Sequence, residues 1–76
     1  MNKELSLNFG KIIRGIRKEK SLSQEELGFR SNLHRTYIGM IERGEKNISL
    51  ENIEKLSKGL SVSMNLIFEK LTQISS

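Results

Sequence analysis

The stretch SQEELGFRSNLHRTYIGMIE, residues 23–42, decides how this chain folds. It opens with Ser23 and, three positions later, Glu26, which is the spacing of a capping box. In that motif the serine hydroxyl accepts a backbone N–H and the glutamate carboxylate reaches back to the N–H of the cap residue. The pattern predicts a helix, helix two of the chain, that begins at Gln24. Residues 31–32, Ser-Asn, have turn chemistry and predict where this short helix ends.

Another short helix, helix three, is predicted from about Arg35 to Arg43. It is capped by His34 and followed by Gly44, which suits a left-handed backbone. A step of about 100° per residue gathers its apolar side chains on one side, facing the core: Tyr37, Ile38 and Ile41. The other side presents a mixed surface with no apolar stripe: Arg35, Thr36, Gly39 and Met40. Gly28 lacks a Cβ atom, so the two helices can cross closely. Two helices joined in this way are typical of a helix-turn-helix, here about residues 23–43.

Apolar residues recur at helical spacing along the rest of the chain, and no Pro interrupts them. The pattern predicts an all-α, compact five-helix fold with a single domain, residues 1–76. Helix one carries the stripe Leu5, Phe9, Ile12, Ile13 and Ile16. Helix four is expected to begin after the cap residue Ser49 and to end at Gly59. Its side chains expected to face the core are Leu50, Ile53 and Leu56. Helix five, about residues 64–74, follows Ser63 and carries Met64, Ile67, Phe68, Leu71 and Ile74.

The composition permits a polyanionic partner. The 76 residues include thirteen Lys and Arg against nine Glu and no Asp, a net charge of +4, which is the sign that DNA binding requires. Ordinary solubility charge explains the same excess, so charge alone does not decide the question. A chain of this size buries only about 60% of its unfolded surface. Because it has no Cys for a disulfide, we expect a homodimer.

No apolar run approaches the roughly 20 residues of a membrane span, and the N-terminal segment lacks the apolar region and cleavage site of a signal peptide. We therefore expect no membrane partner and a soluble, cytoplasmic protein.

Arg35 and Thr36 are the candidate base-reading residues. An arginine can donate two hydrogen bonds to guanine O6 and N7, and a threonine can bond a base edge or contact the thymine methyl. Base contacts come from the N-terminal part of the second helix of the motif, which is where both residues lie. The alternative is that both are solvated surface residues. The surrounding motif favours the DNA interpretation.

Phosphate contacts are expected on either side of helix three. Gln24 stands at the start of helix two beside free backbone N–H groups, and Arg43, Lys46 and Asn47 follow helix three. Such contacts position the protein without specifying sequence. Lys46 is equally compatible with an ordinary solvated charge, and Asn47 with a plain turn residue.

The segments SQEEL, residues 23–27, and YIGMIERG, residues 37–44, resemble the lambda-repressor-like (Cro/C1-type) helix-turn-helix family. Within it, SNLHRTYIGMIERGEKNISLENIEKLSKGL looks most like the controller proteins of bacterial restriction-modification systems. The resemblance implies a transcriptional regulator that binds pseudo-palindromic operators on double-stranded DNA as a homodimer. It also implies that the regulator delays expression of the restriction endonuclease until methylation is established.

Carried over position by position, the resemblance implies that Arg35 and Thr36 read bases and that Tyr37 lies near the DNA backbone or the operator centre. Arg17 and Glu42 match a structural salt bridge that joins helices one and three. Two positions depart from the subfamily pattern. His34 stands where Asp is usual, which puts the cap in doubt, and Gly39 stands where Ser is usual, which removes a hydroxyl contact.

Helix five has an apolar stripe that is large for a terminal helix, and it predicts a dimer interface. The expected contacts are Val62, Met64, Leu66 and Phe68. The competing interpretation is that these side chains all close the core of the monomer.

A catalytic role fits the sequence poorly, since there is one His, no Cys, and adjacent Glu25 and Glu26 that point in different directions on a helix. We expect no catalytic residues, metal, cofactor or small-molecule ligand. The alternative function is an antitoxin or bridging coactivator that works mainly through a protein partner. For a regulator, contact with RNA polymerase is a further expectation.

Overall fold

A computed structural model describes residues 2–75 of the chain, with side chains to residue 74; the first and last positions of the single domain expected above lie outside this range. Five helices follow one another: α1 (Lys3–Glu19), α2 (Gln24–Ser31), α3 (Arg35–Glu42), α4 (Leu50–Leu60) and α5 (Met64–Ser75). Strands are absent from the described part, so the predicted all-α, five-helix fold is confirmed.

Side-chain caps define where the helices begin. In the predicted capping box, the Ser23 hydroxyl accepts the Glu26 N–H at 2.9 Å, and Glu26 Oε1 accepts the Ser23 N–H at 2.9 Å. Ser49 accepts the N–H of Asn52 at 3.1 Å, and Ser63 caps α5 in the same way. These caps satisfy backbone donors that have no partner within the helix.

All five helices contribute side chains to one core. Helical stripes supply its fully buried side chains, which include Phe9, Ile13, Leu27, Ile38, Ile41, Leu56, Leu60 and Ile67. Leu33, in the turn between α2 and α3, packs against this cluster. The inward position expected for Leu50 is wrong, because its side chain is 67% exposed. As the first residue of α4 it lies at the edge of the core and lines a surface cleft with Met64.

Gly59 does not end α4, contrary to expectation. The helix continues to Leu60, and Ser61 takes the left-handed conformation with φ 58°. Gly59 is buried, and a Cβ atom there would lie 2.9 Å from Ser31 Cβ. The glycine therefore allows α4 to approach α2 closely. Periodicity cannot distinguish that role from helix termination.

Within residues 2–75, no helix combines the length and the apolar character needed to cross a membrane.

Candidate nucleic-acid interface

The turn between α2 and α3 is tight because Gly28 lets the backbones meet. A Cβ atom on Gly28 would lie 2.5 Å from the Leu33 carbonyl oxygen and 3.2 Å from the Arg35 backbone nitrogen. Asn32 adopts a left-handed conformation, φ 58°, and the Leu33 N–H donates to the Gly28 carbonyl at 2.9 Å. Asparagine tolerates this conformation better than most residues. The start of α3 is thus held directly above α2.

The other end of α3 is tied to α1 and α2 through one carboxylate. Arg17 donates to both Glu42 oxygens, at 2.7 Å and 3.0 Å, and also to the Leu22 carbonyl at 2.9 Å. The hydrogen bond to Glu42 raises the pKa of Arg17 above its usual value. Gln24 Nε2 donates to Glu42 Oε1 at 3.1 Å. The ion pair implied by the family resemblance is present, and it fixes the orientation of α3.

Arg35 and Thr36 occupy the first turn of α3, and both are exposed. Arg35 Nη1 donates to Glu25 Oε2 at 2.9 Å, and the two side chains are 65% and 73% exposed. The Thr36 N–H donates to His34 Nδ1 at 3.0 Å. His34 therefore caps α3, although Asp is usual at this position in the subfamily that the sequence resembles. The Thr36 hydroxyl is left at the surface. Both candidate readers can therefore reach a groove placed over this turn.

The four candidate phosphate ligands have different surroundings. Gln24 is half-buried by its bond to Glu42, whereas Arg43 is exposed and forms an ion pair with Glu45 at 2.8 Å. The Glu45 carboxylate raises the pKa of Arg43, and the Arg43 guanidinium lowers the pKa of Glu45. Lys46 and Asn47 are exposed. The latter two line one cleft with Arg43.

Lys3 also lines this cleft and was missed by the sequence reasoning. It stands in the first turn of α1, more than forty positions before Lys46. Its basic side chain was the available signal, but only the packing of α1 beside the loop after α3 brings the two lysines together.

Tyr37 lies on the core side of α3, as the helical wheel predicts, whereas Gly39 is less accessible than the wheel predicts. Tyr37 is half-buried against the core, and its hydroxyl accepts a hydrogen bond from Asn52 Nδ2 at 3.0 Å. Gly39 is buried rather than open, because side chains of Gln24 and Arg43 cover it; a Cβ atom there would lie 3.1 Å from Arg43 Nη1. The wheel describes one helix alone and cannot include such neighbours.

The candidate dimer residues divide into two groups. Val62 and Met64 are half-buried and pack against the core. Leu66 is half-buried without belonging to that cluster, and Phe68 is 39% exposed. Leu50 lies beside Met64 at the surface. An apolar surface therefore runs from the start of α4 onto α5.

Comparison with known proteins identifies the relatives of this chain. The helix-turn-helix family profile matches residues 13–67. The chain is 56% identical over 63 residues to the control protein C.BamHI of Bacillus amyloliquefaciens, which covers 82% of this chain and 78% of that protein.

Solved structures agree with this assignment. The restriction-modification controller protein C.AhdI from Aeromonas hydrophila superposes with a TM-score of 0.81 at 44% identity, covering 83% of this chain and 96% of that one. The controller protein C.Esp1396I, solved as a tetramer in complex with its natural 35 base-pair operator, superposes with a TM-score of 0.86 at 42% identity, covering 91% of each chain. The chain belongs to the helix-turn-helix family of restriction-modification controller proteins.

Proposed function

We propose that this protein binds a specific DNA sequence as a homodimer and regulates transcription as the controller of a restriction-modification system. The observation that carries the proposal is the exposed first turn of α3, which presents Arg35 and Thr36 on a rigidly held helix. A relative that superposes over 91% of the chain was solved on its operator. The first turn of such a helix is the part that reaches base edges in the major groove.

The roles of the individual residues follow from their chemistry. Arg35 donates to guanine O6 and N7, and Thr36 contacts an adjacent base edge or a thymine methyl. Arg43, Lys46 and Asn47 line the cleft next to α3 and bind phosphates, with Lys3 as an additional cation. Gln24, at the first residue of α2, binds a phosphate together with the free N–H groups there. Tyr37 lies at the edge of the contact surface, near the backbone or the operator centre.

A second copy of the chain completes the DNA-binding unit. Phe68 and Leu50, both exposed, flank Met64 and supply the apolar contacts between subunits. Val62 and Leu66 contribute at the margin. The dimer then presents two α3 helices to half-sites about 10 base pairs apart, or a multiple of that spacing. Its doubled positive charge supports binding to the polyanion.

Selection of bound duplexes from a random DNA pool tests the proposal. We expect enrichment of a pseudo-palindromic sequence, and a gel shift by the wild-type chain at concentrations where a scrambled duplex stays free. A parallel pull-down tests the alternative of an antitoxin or bridging coactivator. A stable protein partner without any enriched DNA sequence would overturn the regulator assignment.

Contact with RNA polymerase belongs to the same proposal. Phe29 near the end of α2 is 89% exposed, an unusual position for a large apolar side chain and one that suits contact with another protein. In transcription in vitro, Phe29→Ala should keep operator affinity and lose activation. An unchanged level of activation would remove Phe29 from the polymerase contact. As a regulator of genes, the protein would act in the cytoplasm by binding rather than by catalysis.

A further inference from the structure

The base-reading candidate Arg35 is held by a carboxylate from a different helix. Glu25 lies in the first turn of α2 and Arg35 in the first turn of α3, and their side chains meet at 2.9 Å. Ten positions separate the two residues, so helical spacing does not create the pair; the turn after α2 does. Both side chains are more than half exposed.

Stability of the fold does not explain this contact. Ion pairs between exposed side chains contribute little to folding, because water and salt screen them. A carboxylate on a surface that faces DNA also opposes binding, since phosphates carry the same charge. Glu25 therefore weakens the contact of this surface with DNA backbone in general.

A guanine–cytosine pair can satisfy both members of the ion pair. Guanine O6 and N7 accept hydrogen bonds from an arginine, and the N4 amino group of cytosine donates to a carboxylate. A phosphate accepts from Arg35 but offers nothing to Glu25, which it repels. The neighbouring carboxylate thus makes binding to a matching base pair more favourable than binding to the DNA backbone at an unrelated site.

We propose that Glu25 is a residue that determines DNA-sequence specificity; this inference rests on the proposed function. It holds Arg35 against α2, so Arg35 must give up this ion pair before it contacts DNA. A phosphate replaces the ion pair with little net gain in binding free energy, whereas a matching base pair gives the full gain. The positive charge of Arg35 then contributes to operator binding but not to binding of unrelated DNA.

The chain offers a matched comparison in Arg43 and Glu45. This ion pair is also exposed, and its shorter contact is 2.8 Å. Arg43 is a phosphate ligand in the proposed function, and phosphates are present at every site. Removal of the Glu45 charge should therefore strengthen binding to all sequences alike, whereas removal of the Glu25 charge should favour unrelated DNA.

Glu25→Gln and Glu45→Gln remove the same charge and test this difference directly. Affinities are measured for the duplex selected from the random pool and for a scrambled duplex of equal length, at several salt concentrations. For Glu25→Gln we expect about three- to tenfold tighter binding to the scrambled duplex and little gain for the selected one. For Glu45→Gln we expect a similar gain for both. Circular dichroism checks that each variant is folded.

Arg35→Ala provides the second half of the test. In that background, Glu25→Gln should lower the ratio of selected to scrambled affinity much less than it does in the wild type, because Glu25 acts mainly by holding Arg35 and its direct contacts with DNA are the smaller part. A ratio for Glu25→Gln alone equal to that of the wild type, or an equally large fall in the Arg35→Ala background, would overturn the role of Glu25. A wild-type chain that does not discriminate between the duplexes would instead overturn the proposed function itself, and the role of Glu25 with it.

Discussion

Arg17 of α1 and Glu42 of α3 form a bidentate ion pair that is almost completely buried. The guanidinium donates to the two carboxylate oxygens at 2.7 Å and 3.0 Å, and the side chains are only 10% and 4% exposed. Glu42 also accepts from Gln24 of α2. Since Glu42 is the last residue of α3, one carboxylate joins all three helices that present the candidate DNA surface.

Removal of one partner of this pair should destabilise the protein strongly. We expect Arg17→Met to lower the free energy of unfolding by about 3 kcal/mol, because it leaves a buried carboxylate unpaired. The double variant Arg17→Met, Glu42→Leu should recover most of that loss, since no buried charge remains. Urea unfolding of both variants measures the difference. A double variant as unstable as the single one would show that the pair contributes more than charge neutralisation.

Two glycines in helices should respond oppositely to alanine. At Gly28 a Cβ atom would meet the Leu33 carbonyl at 2.5 Å, so Gly28→Ala should lower the free energy of unfolding by about 2 kcal/mol. Gly15 lies in α1 with open space around it, and Gly15→Ala should raise stability by about 0.8 kcal/mol through helix propensity. Thermal unfolding checks both. Equal effects would mean that α2 and α3 do not approach as closely as described.

The capping box predicts a defined loss of stability in acid. The hydrogen bond from the Ser23 backbone lowers the pKa of Glu26 below its usual value. The unfolded chain therefore binds a proton at Glu26 more readily than the folded protein does. The stability that ionised Glu26 contributes is complete above the pKa of Glu26 in the unfolded chain, and it disappears as pH falls through the lower pKa of Glu26 in the folded protein. Glu26→Gln keeps a capping residue without a titrating group. Urea unfolding at pH 7 and pH 3 should show a smaller difference for the variant than for the wild type.

Phe68 should govern association between subunits. We expect Phe68→Ala to shift the sedimentation of the protein toward monomer while its helical content is kept. Phe29→Ala is the matched control, because Phe29 is 89% exposed on a different helix, and its dimer should be unchanged. An intact dimer with lowered stability in Phe68→Ala would instead assign Phe68 to the core.

Arg35 and Lys46 should separate base reading from phosphate contact. Arg35→Ala should cost about 1 to 3 kcal/mol of operator binding and relax the preference at one base position. Lys46→Ala should weaken binding to all sequences and reduce the slope of affinity against salt by about one charge. Binding to single-base operator variants at several salt concentrations measures both. The reverse pattern would exchange the assigned roles.

The helices follow from the sequence wherever local chemistry defines their ends. The capping box at Ser23 and Glu26 depends on residues three apart, and the structure contains both of its hydrogen bonds. Leu50 and Gly59 were misjudged, because the first depends on where the core ends and the second on how closely α4 approaches α2. Neither property is local to the helix that carries the residue.

In the candidate DNA surface too, some residues could be placed from local sequence and others only from the packing of the helices. The position of Arg35 and Thr36 in the first turn of α3 follows from sequence, since helix starts and helical faces are local properties. Gly39 and Lys3 could not be placed correctly, because Gln24 and Arg43 cover the first and the packing of α1 brings the second to the cleft.

By itself, the sequence determined five amphipathic helices, the N-terminal caps of the last four, and a helix-turn-helix with an arginine and a threonine at the start of its second helix. Only the tertiary structure decided which acidic side chain faces that arginine, and that Gln24 of α2 joins the pair of Arg17 and Glu42. Glu25 meets Arg35 across a turn built on Gly28, and Glu42 joins three helices. The physical reason is range: hydrogen bonds of caps span a few residues, whereas ion pairs between helices depend on how the whole core packs.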